Sequence, residues 1–172
     1  MTAEGVTRAV AALRERITGA GGDPDRITLV AVTKGFGADA VSSAVAAGVG
    51  DIGENYAKEL LSKATTVVTS APPRWHFIGR IQRNKIRLLA DLVHLWQSVD
   101  RREVAAEIAK RAAGGAVLVQ VNLTDDPVRA GCPLEEVPGL VMICRDLGLD
   151  VRGLMAVAPL GGSLAARPGF RA

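Results

Sequence analysis

Aromatic residues are scarce in this chain: three Phe, two Trp and one Tyr among 172 residues, 3% in all. A surface that stacks single-stranded nucleic acid needs more rings, and a formal net charge of +3 with a pI near 9.2 is too mild for an electrostatic track. Cysteine is rarer still. Cys132 and Cys144 stand alone, without CxxC spacing or a neighbouring histidine pair. Neither a zinc site nor a disulfide framework is indicated, and two reduced thiols in a cytoplasmic protein are expected. No run approaches the roughly 18 apolar residues of a membrane-spanning helix, and the N-terminus, with Glu4 and Arg8, has no continuous apolar centre. Also missing is a glycine-rich phosphate loop, since Gly35, Phe36 and Gly37 form neither GxGxxG nor a segment ending in GK[ST]. These absences argue against nucleic-acid, membrane and nucleotide-loop functions.

What the chain does have is regular alternation. Hydrophobic content is 48% and charged content 23%, with Ala, Val, Leu and Gly supplying the core, and the length fits one domain over 1–172. Val6, Val10, Leu13 and Ile17 recur at helical spacing and predict an amphipathic helix over 3–18, stopped by Gly19, Gly21, Gly22 and Pro24. Short apolar runs follow at 28–33, 49–53, 75–78, 93–99, 116–122 and 151–157. Helical stretches separate them at about 38–47, 55–68, 81–90, 101–113 and 134–147. The last carries a stripe of Leu134, Val137, Leu140, Val141, Cys144 and Leu147. Strand, helix, strand, repeated, predicts an α/β fold with parallel strands joined by right-handed crossovers. A closed barrel and an open doubly wound sheet would both produce this pattern.

Polar residues cluster where the runs end: Lys34, Glu54 with Asn55, Ser98 with Asp100, and Asn122 with Thr124. In parallel α/β folds this is the face where sites assemble. Asp100 reads either as part of that face or as the N-cap of the helix near Arg101. Arg80, Arg83, Lys85 and Arg87 form either a phosphate or nucleic-acid patch or a solvated helix face. Gly161 and Gly162 read as a flexible turn, and Gly79 permits close backbone approach to a ligand. Lys34 is the most telling of these positions. A lysine where an apolar strand meets a loop has a desolvated stem and a head at a pocket's rim. An ordinary lysine, with a pKa of about 10.4, is neutral at pH 7 only about once in 2,500. Amine chemistry therefore needs such a setting, and Lys34 reads either as a Schiff-base candidate or as a solvated surface lysine that ends a strand.

AVTK at 31–34, IGENY at 52–56, WHFIGRIQRNK at 75–85, SVD at 98–100, VLVQVN at 117–122 and RGLMAV at 152–157 carry a family resemblance. Over residues 27–159 the chain resembles the pyridoxal phosphate homeostasis proteins. The resemblance implies a TIM-type (β/α) barrel like the N-terminal domain of alanine racemase. It further implies pyridoxal 5'-phosphate (PLP) held as a Schiff base on Lys34, with Asn55, His76 and Met155 lining the pocket. The alternative reading of His76 is strand packing alone.

The resemblance also implies a role in vitamin B6 and amino-acid homeostasis without an established reaction, and the chain is expected to be cytoplasmic and, when full length, a monomer. Two other readings stay open, a racemase- or lyase-like PLP enzyme and a remnant that does not bind. Tyr56, the only tyrosine, already belongs to GENY, which leaves no spare tyrosine base.

The family continues past RGLM through strands reading like SMGMS and VRIG, which supply much of the phosphate site and close the barrel. Here Ala158 is followed by Pro159, Gly161, Gly162, Pro168 and Gly169, and neither motif appears. About six of the usual eight strands are readable. The expectation is a barrel truncated at its C-terminus, an irregular tail over 160–172, and open edges on the first and sixth strands through which chains could associate.

Overall fold

Strands and helices alternate through the computed structural model, which describes residues 2–124 and 128–158. In chain order they are α1 (Ala3–Gly19), β1 (Val30–Val32), α2 (Ala38–Ala46), β2 (Asp51–Glu54), α3 (Ala57–Thr66), β3 (Arg74–Phe77), α4 (Arg83–Leu89), β4 (Val93–Val99), α5 (Arg102–Arg111), β5 (Ala116–Val121), α6 (Val137–Asp146) and β6 (Asp150–Ala156). Single 3-10 turns at Pro24–Arg26 and Leu134–Glu136 precede β1 and α6. The α/β class expected from the alternation is the class observed. The tail from 159 onward, with the turn expected at Gly161 and Gly162, lies outside the described residues. Contacts group the chain into two compact units, 1–77 and 78–172, each with three strands and three α-helices among the described residues.

In the first unit β1, β2 and β3 pair in parallel, with Val32 opposite Gly53 and Gly53 opposite His76. Each crossover is a helix, as parallel neighbours require. Val41 and Ala44 of α2, Leu60 of α3, and Ile52, Trp75 and Phe77 of the strands are buried together with Ala40 and Val49. The predicted helix α1 forms, with Thr2 Oγ1 accepting from Gly5 N at 3.3 Å, yet none of its residues is buried and Leu13 is 40% exposed. Good helix formers build α1, and its apolar stripe is covered only in part, with Val6, Val10 and Ile17 half-buried. β1 is shorter than the run predicting it, because Thr28 and Leu29 extend past the first residue paired with β2.

In the second unit β4, β5 and β6 are likewise parallel, each of the two pairings interrupted by a register shift. Ile86, Leu89, Trp96, Val99, Val104, Ile108, Val117, Val119, Leu140 and Cys144 fill its core. The stripe on α6 is narrower than its sequence suggests. Val137, Leu140 and Cys144 are buried, whereas Leu134 and Leu147 are exposed because Leu134 belongs to the preceding 3-10 turn and Leu147 lies beyond the helix. Both cysteines are free and buried. Burial raises the Cys132 thiol above its usual range and pushes Cys144 up to about 11, so these thiols stay protonated. Arg80, Arg83, Lys85 and Arg87 are all exposed. Among the described residues no helix is long and apolar enough to cross a membrane.

Candidate functional site

Thr33 extends the β1 ladder by one bond, its amide donating to Gly53 O at 3.1 Å, and the chain then turns. Phe36 N donates back to Thr33 O at 3.0 Å, which places Lys34 and Gly35 at the centre of a four-residue turn. Gly35 has φ +76°, as the third residue of a type II turn requires, and a side chain there would strain the backbone. Lys34 stands at the corner and is exposed. The expected desolvated stem is not found: the turn carries the lysine out of the apolar run. Among the described residues its amine has no hydrogen bond or ion pair.

The backbone on either side of Lys34 is held from α3. Its sequence is rich in helix formers, and Leu60 and Lys63, three residues apart, are both buried. Lys63 Nζ donates to Thr33 O at 2.7 Å and to Glu54 Oε1 at 2.5 Å. Glu54 Oε1 also accepts from Thr33 Oγ1 at 2.5 Å, while Oε2 is buried with no partner among the described residues. On the far side of the lysine, Gly35 N donates to Glu59 Oε2 at 2.8 Å, and that oxygen lies 3.5 Å from Lys63 Nζ. The Gly35 amide holds the Glu59 carboxyl below its ordinary range; partial burial opposes this, and Lys63 adds to it.

Asn55 follows β2, half buried, its side-chain amide without a partner among the described residues. The register sets Val32, Gly53 and His76 side by side, and Lys34 and Asn55 each follow the C-terminal end of one of two neighbouring strands, β1 and β2. His76 is buried below them and committed elsewhere. Its Nε2 donates to Asp51 Oδ1 at 2.9 Å, because an ionised carboxylate can only accept. Arg74 grips the same carboxylate with a fork, Nε to Oδ1 at 2.8 Å and Nη2 to Oδ2 at 2.5 Å. Burial works to raise the Asp51 pKa, but the bonds from Arg74 and His76 outweigh it and leave the carboxyl below its ordinary range. Asp51 and Arg74 line a polar cavity of about 230 Å³, together with Arg14 and Asp25, at the strands' N-terminal ends and so away from Lys34.

Met155 lies in the second unit, half buried on β6 opposite Gln120. Other strand-end candidates there are occupied locally. Ser98 Oγ donates to Gly79 O at 2.5 Å, and Asn122 Oδ1 accepts from both Thr124 N and Thr124 Oγ1 at 3.0 and 2.7 Å. Asp100 is not the cap of α5. Arg101 occupies the N-cap without a side-chain bond, and Asp100 pairs with the Arg101 guanidinium instead. The turn leading to Cys132 depends on Gly131, with φ +121° and the backbone of Val121 and Asn122 only 2.5 Å from where a Cβ would sit.

The structure thus brings Lys34 and Asn55 to the C-terminal ends of neighbouring strands, sets His76 a level below, and reveals two charged groups that the sequence did not single out, Glu54–Glu59–Lys63 and Asp51–Arg74–His76. A glutamate closing an apolar strand, with an i, i+4 Glu59–Lys63 pair just after it, was the available signal for the first. The second is made by side chains more than twenty residues apart, and no local pattern announces it.

No family model matches the chain. It is similar to the pyridoxal phosphate homeostasis protein of Pseudomonas aeruginosa, 39% identical over 160 residues that span 90% of this chain and 69% of that protein. Among solved structures it is similar to PipY of Synechococcus elongatus with PLP bound, at TM-score 0.77 and 28% identity, covering 95% of this chain and 79% of PipY. Alanine racemase from Bacillus anthracis matches 98% of this chain and 44% of its own at TM-score 0.73. At 14% identity that match shows the fold alone, the TIM-type (β/α) barrel fold of the alanine racemase N-terminal domain. With 39% of residues shared across more than two thirds of the Pseudomonas protein, the chain belongs to the pyridoxal phosphate homeostasis protein family.

Proposed function

We propose that this chain is a cytoplasmic protein that binds PLP covalently through Lys34 and stores or hands on the cofactor, rather than turning over a substrate. The observation that carries this reading is a primary amine with no partner among the described residues, presented at the corner of a turn whose backbone is tied down on both sides. Such an amine fits the cofactor. When bound, PLP supplies an aldehyde that condenses with a primary amine and releases water. Lys34 provides the amine, and Asn55, just past the end of the neighbouring strand, provides an amide able to donate to or accept from the bound group. His76 acts from the level below through its bond to Asp51, shaping the floor of the site. PipY, solved with PLP bound and similar over 95% of this chain, supports the assignment.

The test is chemical. After incubation with PLP, borohydride reduction and peptide mapping, a pyridoxyl group is expected on Lys34. The visible absorbance of the bound cofactor is expected to vanish in Lys34→Ala. Modification only at other lysines, or undiminished absorbance in Lys34→Ala, would overturn the proposal.

A further inference from the structure

Lys63 is 5% exposed and Glu54 fully buried, an arrangement that stability alone does not explain. Taking two charges out of water costs several kcal/mol per ion, and replacing a buried pair by apolar residues of similar size is often neutral or stabilising. The cluster contains two carboxylates to one ammonium, and one carboxylate oxygen, Glu54 Oε2, has no partner among the described residues. The cluster's bonds outside itself converge on the two residues that flank Lys34. Thr33 O, Thr33 Oγ1 and Gly35 N, all within one residue of Lys34, are each bound by a member of the cluster. The amine of Lys34 itself has no partner among the described residues.

We propose that Lys63, Glu54 and Glu59 are positioning residues that fix the Lys34 turn and thereby aim its amine at the incoming aldehyde. This inference rests on the reading of Lys34 as the attachment point. The lysine side chain has four rotatable bonds, so its reach is set by where the Cα–Cβ bond starts and points. Three anchors on residues 33 and 35 determine that start. A misplacement of about 1 Å can cost on the order of a hundredfold in rate.

Glu59 is the member best suited to test, because its side chain is 33% exposed and its loss leaves the Lys63–Glu54 pair in place. In the full chain, Glu59→Ala is expected to slow PLP attachment at Lys34, read by timed borohydride trapping, by at least about tenfold. It should also speed hydrogen exchange at the Gly35 amide when PLP is absent. Glu59→Gln keeps an acceptor for Gly35 N and is expected to restore most of the rate, which separates positioning from charge. Thermal unfolding of both variants without PLP is expected to match that of the parent protein closely. A parent chain that carries PLP on Lys34 while Glu59→Ala attaches it equally fast overturns this inference and leaves the Lys34 reading intact. A parent chain that carries no PLP on Lys34 overturns both.

Discussion

Among the described residues the two units of this chain share one plan, three parallel strands and three α-helices, yet they bury different chemistry. In the second, the buried polar residues among those described are the neutral Ser98 and Gln120, and the rest of the core is aliphatic apart from Trp96 and the two thiols. In the first, Asp51, Glu54, Lys63 and His76 are buried beside Thr33. Apolar burial suffices to hold such a three-strand layer, as the second unit demonstrates. Charge in the first therefore has another origin, and it divides by face. Glu54 lies three residues from Asp51 along β2, so the two carboxylates point to opposite sides of the strand, one towards the Lys34 turn through α3 and the other towards Arg74 and His76.

Each unit contains one of the two tryptophans, Trp75 at 5% and Trp96 at 1% exposure, so each can be followed separately by fluorescence with the other changed to Phe. The largest effect is expected from Glu54→Leu, which leaves the Lys63 ammonium buried without its main partner. A loss of about 3 to 5 kcal/mol is expected in urea unfolding reported by Trp75. Combining Glu54→Leu with Lys63→Met should recover most of that loss, since the pair is then replaced by apolar groups. If the double variant remains as unstable as the single one, the charges are structural and the contrast between the units fails.

The matching experiment in the second unit is Ile108→Ala. This side chain is fully buried on α5, and its truncation is expected to cost about 2 to 5 kcal/mol, depending on how far the site collapses. The loss should be seen by Trp96 and should be nearly independent of salt, because no ionised group among the described residues is buried in that core. A strong salt dependence would show that the second unit is not the apolar scaffold its burial pattern indicates.

The division was only partly visible in the sequence. Element types followed from periodicity, and β4 matches its apolar run residue for residue at Val93–Val99. Strand ends were less legible where pairing rather than hydropathy decides, as at Thr28 and Leu29. Lys34 was identified by its place after an apolar run and by the motifs around it. The device holding it was not, because a lysine on a helix with a glutamate four residues earlier reads as a solvated pair. Lys63 is buried because Glu54 and the Thr33 carbonyl wait beneath α3, which only the fold brings together. Asp51 likewise sits inside an apolar run of the sequence, and its role depends on Arg74 and His76 from the next strand.

The smallest effect is confined to acid and concerns that second cluster. The Asp51 carboxyl has its folded pKa below 3.8, its ordinary value, despite the opposing effect of burial. A carboxyl depressed in this way binds fewer protons folded than unfolded, so it adds stability above the ordinary value. That contribution declines as the pH falls below 3.8 and is gone once the pH has passed the lower folded value. Stability reported by Trp75 should therefore fall with acid in this window, and Asp51→Asn should flatten the fall by removing the titrating group. Trp96 should show no change with that substitution, because Asp51 and its partners Arg74 and His76 all belong to the first unit. An equal flattening at Trp96 would mean that the two units unfold as one, and the contrast would then describe where charge is buried without describing how the chain comes apart.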